Sequence, residues 1–173
     1  MEFKQKSSFL IGLFLTVFFL VCCLLPQMSF AGPTVPPSWY QKLSGTKRFV
    51  MVLDGTAVLD KETGLVWEKE PAGAGVKWVD TFATCAHKVL GARKGWRVPT
   101  VEELNSLVDT TNIYPSLPTG HPFNNIQHTL YWSSDSGIEN SNYAWYVDFG
   151  TGNAGLEIKP NSRFIWCVRG GSN

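Results

Sequence analysis

Few side chains in this sequence have the types and spacing that chemistry requires. Cys85 and His87 place a base two positions from a thiol. On a helix, an i, i+2 pair points in different directions, so a Cys–His nucleophile competes poorly with a disulfide between Cys85 and Cys167. His121 and His128 lie seven apart with no third ligand at zinc-site spacing. A hydrolase would draw on these histidines and on Asp135, Glu139 and Asp148, and it would need them in one cleft. Glu102 and Glu103 are adjacent, and adjacent helix residues do not share a site. Asn124, Asn125, Asp135, Glu139, Asn142 and Tyr143 are the candidate ligand-binding residues. Calcium takes about six to eight oxygen ligands. Asn124, Asn125 and Asp135 are its candidates here, though their spacing defines no known calcium loop. No other metal or cofactor is expected.

The bulk of the chain bounds these options. Lys4 and Lys6, the apolar run from Phe9 to Leu25, and the small residues around Ser29-Phe30-Ala31 read as a cleaved export signal over residues 1–31. An uncleaved anchor is the competing reading, since seventeen apolar residues approach the lower limit for a membrane span. Export makes the protein periplasmic or extracellular. There, Cys85 and Cys167 meet oxidising conditions in which a pair should close. The segment carries Lys4, Lys6 and Glu2, which leaves thirteen of 15 basic residues against thirteen of 14 acidic ones. Nucleic-acid binding needs a basic stripe, and none is present. Membrane contact is expected only through the signal, if it is uncut.

Periodicity and turn residues give the elements that must position these groups. Residues 32–47, with Pro33, Pro36 and Pro37, read as an extended arm. Residues 48–173 read as one domain. Arg48–Leu53 is a buried-type strand, and Ala57–Leu59 and Leu65–Trp67 form a hairpin. A first helix is predicted from Val79 to Leu90, with Trp78, Phe82, Cys85, Ala86 and Val89 on its apolar face and Gly91 as its cap. Thr100-Val-Glu-Glu103 is a capping box that opens a second helix. Asp109–Thr129 is a long Pro- and Asn-rich loop, a length more often functional or disordered than neutral. Strands follow at Leu130–Ser133, Ala144–Phe149, Leu156–Lys159 and Arg163–Arg169, with Gly150–Gly155 joining the middle two. The sum is an α+β domain, two helices against a short-stranded antiparallel sheet.

Five aromatic phrases carry a family resemblance. Thr63-Gly-Leu-Val-Trp67, Gly95-Trp-Arg-Val-Pro-Thr100, Tyr131-Trp-Ser-Ser134, Ala144-Trp-Tyr-Val-Asp148 and Trp166-Cys-Val-Arg-Gly170 resemble, in order and spacing, the bacterial Lcl C-terminal-domain family, over roughly residues 50 to 170. That family looks like a branch of the C-type-lectin-like folds, near the formylglycine-generating enzymes. The resemblance implies a disulfide between Cys85 and Cys167 that ties the first helix to the last strand. It also marks departures. The sugar-binding lectins' calcium triplets are absent, Trp132-Ser-Ser-Asp135 only echoing one. With the two cysteines paired, the catalytic cysteines of the formylglycine-generating enzymes are absent too.

The expected function is an exported, non-catalytic binding module for a glycan or a cell-surface or envelope protein. Tyr143, Trp145 and Tyr146 are aromatic platforms near the long loop, although most of the Trp residues should be core. The alternatives are a structural or assembly subunit of the envelope, and a hydrolase acting on an envelope polymer.

Overall fold

The computed structural model describes residues 43–71 and 73–170. The export signal and most of the arm lie outside the described residues. The chain runs α1 (Gly45–Arg48), β1 (Phe49–Val52), β2 (Ala57–Asp60), β3 (Val66–Glu68), β4 (Val76–Lys77), α2 (Trp78–Ala86) and α3 (Val101–Ser106). It continues through β5 (Leu130–Ser136), β6 (Tyr143–Asp148), β7 (Asn153–Ile158), β8 (Ser162–Arg163) and β9 (Val168–Arg169). Helix and antiparallel sheet are therefore mixed, as expected. Among the described residues no helix is long and apolar enough to cross a membrane.

The strands form three sheets rather than one: β1-β2-β3-β9, β4-β8 and β5-β6-β7. The reason lies in Arg163–Arg169, which serves all three in turn instead of forming one strand. Arg163 pairs with Val76. Phe164 exchanges backbone hydrogen bonds with Leu130 and Trp132 of β5. Val168 then pairs with Trp67 of β3. Between them, the Trp166 ring lies within 4.7–5.9 Å of Phe123, Phe149, Trp67 and Tyr131. Its indole N–H donates to the Glu68 carbonyl at 2.7 Å. One core surrounds Trp166; a second gathers Trp96, Trp132 and Ile165 about the cysteines.

Cys85 and Cys167 are bonded, with Cα atoms 5.6 Å apart. α2 reaches this disulfide but stops at Ala86, not Leu90. Only Thr81 and Cys85 of α2 are buried. Phe82 instead stacks edge-on against Trp78 and stays 40% exposed, and Val89 is 51% exposed. The apolar period continued past the point where burial supports a helix. Lys88 turns instead to Glu68, with which it forms an ion pair. Gly91 is no cap; a Cβ there would stand 2.5 Å from that of Leu53, so it marks a close approach of two segments. α3 keeps its expected start, with both capping-box hydrogen bonds of Thr100 and Glu103 formed.

Two further expectations change. β1 is an edge strand with Val50 and Met51 exposed, not a buried strand. The residue before it, Arg48, expected to open the strand, is instead buried within α1 and held by Asp60, and the strand runs only from Phe49 to Val52. The 109–129 loop is a loop, but it is built into the core by Leu117 and Phe123. Its backbone is pinned by hydrogen bonds from Ser116 N–H to Phe149 and from Tyr114 N–H to Gly150.

Candidate functional site

β6 alternates between two environments, as a strand must. Ala144 and Tyr146 turn toward the disulfide core, and Val147 toward the Trp166 core. Tyr143 and Trp145 share the face of Val147, where α3 lies against β5 and β6. Both are half-buried and belong to neither core. Across the ladder, Tyr143 pairs with Ile158 and Trp145 with Leu156. Directly paired residues share a face, so these four side chains form one apolar surface. Leu156 is 48% and Ile158 37% exposed.

A bulge supplies the polar margin. Trp132 pairs with Tyr146 and Ser136 with Ala144, so Ser133–Asp135 stands opposite the single residue Trp145. The carboxylate of Asp135 accepts the Val101 N–H at 2.6 Å and the Ser133 hydroxyl at 3.1 Å through Oδ2. It thereby caps the start of α3 beside Trp145. At the hairpin tip, Glu139 and Asn142 are exposed. Asn142 N–H donates to Asn140 Oδ1, and its carbonyl accepts from Lys159.

The other predicted residues lie elsewhere. Asn124 N–H donates to the Lys69 carbonyl, and the Asn125 amide donates to Glu70. Asp135 thus stands opposite Trp145 and Tyr143 shares the face of Trp145, while Asn124 and Asn125 attach to the segment after β3. Among the described residues, no group of three or more His, Cys, Asp and Glu side chains is gathered that can hold a metal ion. His121 stacks on Phe123, and burial holds its imidazole below the usual value. His128 lies against Tyr114 on the exposed loop. Asp148 caps the following turn through Gly150 and Thr151.

Residues 56–169 match the Lcl C-terminal domain. The chain belongs to the Lcl C-terminal domain family. Its two cysteines are paired. No curated protein matches the chain. Leu156 and Ile158 join this candidate surface although neither was among the expected ligand-binding residues. Their part depends on the β6–β7 register, and β7 starts at Asn153, inside the Gly150–Gly155 stretch expected to be the turn, three residues before the expected strand Leu156–Lys159.

Glu68 is the one strongly buried acid near the disulfide. Burial pushes its carboxyl above the ordinary value of 4.5, while the Lys88 ammonium and the Cys167 N–H pull it partly back. A raised folded-state value means the native protein binds the proton more tightly than the unfolded chain does. This contribution is fully present below 4.5 and is lost as pH rises through the raised value. Melting curves of the wild type and Glu68→Gln, taken from pH 4 upward, should therefore differ by a decline present only in the wild type. Parallel curves would contradict this assignment.

Proposed function

We propose that this domain is an exported, non-catalytic binding module of C-type-lectin-like build, which takes a glycan on the β6–β7 face. The observation that carries the reading is Trp145: of the described Trp residues, it alone packs into neither core. A ligand surface needs an apolar plate with a few convergent polar groups. Trp145, Tyr143 and Leu156 supply the plate, and Asp135 with the polar hairpin tip supplies the margin. Asp135 and Asp148 serve as caps, His121 and His128 lie against other rings, and Glu139 is exposed at the hairpin tip, which supports binding over turnover. With no gathered carboxylates among the described residues, binding is expected to be the same in calcium and in a chelator.

The test is an array of glycans and cell-wall polymers probed with the oxidised protein and with Trp145→Ala. The variant should lose more than about tenfold in affinity, as expected of a central aromatic anchor. Its stability should fall by less than the roughly 3–5 kcal/mol of a core Trp→Ala change such as Trp166→Ala. Binding that ignores Trp145→Ala would move the site elsewhere. Absence of any glycan ligand would favour a protein partner.

A further inference from the structure

The outer edge of β7 is open, and its free groups match themselves. Lys159 N–H donates to the Asn142 carbonyl at 3.0 Å, which sets the phase of the β6–β7 ladder. In an antiparallel pair, every second residue turns its backbone groups away from its neighbour. Those residues are Ala154, Leu156 and Ile158. Ile158 is already served, its N–H by Glu157 Oε1 at 2.9 Å and its carbonyl by the Asn161 N–H at 3.1 Å. The outward N–H and C=O groups of Ala154 and Leu156 have no partner among the described residues. Natural edges are usually guarded by Pro, Lys, a bulge or shortness. β7 runs six residues with no Pro, Lys or bulge, and its one charged residue, Glu157, is already engaged by Arg163.

We propose that β7 pairs antiparallel with β7 of a second copy of this chain, about a two-fold axis through Gly155. In that register, Ala154 of each copy faces Leu156 of the other. Each such pair exchanges two hydrogen bonds, so the four open groups of one copy are satisfied by the four of the second. Gly155 meets its own counterpart at the non-hydrogen-bonded position, where Cα atoms come within about 4.5 Å and a missing side chain is an advantage. Asn153 falls opposite Glu157 of the second copy, an amide against a carboxylate, and no like charges are opposed. Other registers fit less well: one centred on Leu156 would call on the Ile158 groups already in use. The two three-stranded sheets become one of six strands, an isologous dimer. This goes beyond the ligand-binding reading and does not depend on it.

Sedimentation equilibrium of the full chain tests the proposal, with Ala154→Pro, Asn153→Lys and Asn153→Asp beside the wild type. The wild type should show twice the mass of the chain. Ala154→Pro deletes a donor that faces away from β6, so it should leave near-ultraviolet circular dichroism unchanged and give monomer. Asn153→Lys, placing an ammonium opposite each Glu157, should tighten the dimer about tenfold, and Asn153→Asp should weaken it about tenfold. A wild type monomeric at its highest soluble concentration overturns the proposal; the edge would then be left to another protein or to the chain's own N-terminal segment. A dimer indifferent to all three substitutions overturns it too, because its contact would lie elsewhere.

Discussion

Replacing Asp60 by Asn is expected to cost about 3–5 kcal/mol of stability, read as a lower denaturation midpoint at unchanged slope. Asp60 and Arg48 are 0% and 1% exposed, and they meet in a two-pronged contact of 2.8 and 2.6 Å. Asp60 also accepts the Glu62 N–H and the Thr63 hydroxyl. Arg48 spends another donor on the Ser106 carbonyl just after α3 begins its last turn. An Asn at position 60 would turn an N–H₂ group toward the guanidinium or lose one prong, and it would leave the buried cation only the Glu62 carboxylate, 3.4 Å from its Nε, as counter-charge. The cost comes from the under-compensated buried charge more than from the lost attraction. The double change Arg48→Met with Asp60→Leu should therefore recover most of the loss. A single-substitution cost under about 1 kcal/mol, the range of surface pairs, would show that water reaches this pair.

The second large effect belongs to the disulfide. Replacing Cys85 and Cys167 together by Ala should lower stability by about 4–5 kcal/mol, because the bond closes a loop of 82 residues in the unfolded chain. Both residues are fully buried in the folded chain but are exposed on unfolding, so the comparison is made without reductant. Denaturation of the oxidised wild type and the double variant measures it. Equal midpoints would mean that the unfolded chain already holds these segments together.

The parts of the fold legible in the sequence were those encoded over a few neighbouring residues. Thr100 and Glu103 announce a helix start because each serves the other's backbone three positions away, and both hydrogen bonds are present. The β6–β7 hairpin is visible in the glycines that turn it. The less legible parts depend on distant partners. Nothing local in Arg48 says that it is buried; its partner lies across a hairpin and its third contact at the last residue of α3. The apolar residues of α2 and of 87–90 follow a helical period, yet only Cys85 among those predicted to face inward is fully buried, because the disulfide and the Lys88–Glu68 pair decide how the chain leaves the helix. Leu117 and Phe123 sit in a stretch rich in turn residues, where composition hides a core role. At the candidate site, Tyr143 and Asp135 were readable as residue types. The pairing of Tyr143 with Ile158, and the placing of Asp135 opposite Trp145, were not, since a strand register and a bulge bring them about.

The position of the disulfide also determines how the domain responds to mechanical load. Tension applied at Leu43 and Gly170 can draw out the segment ahead of Cys85 and the few residues after Cys167, an extension of about 150 Å. Without the bond, the same described chain could pay out about 430 Å. Everything from α3 to β8, with Trp145 and the open edge of β7, lies inside the covalent loop and carries no direct backbone load. The N-terminal hairpin can yield to a pull while the β5–β6–β7 sheet stays bypassed by the force.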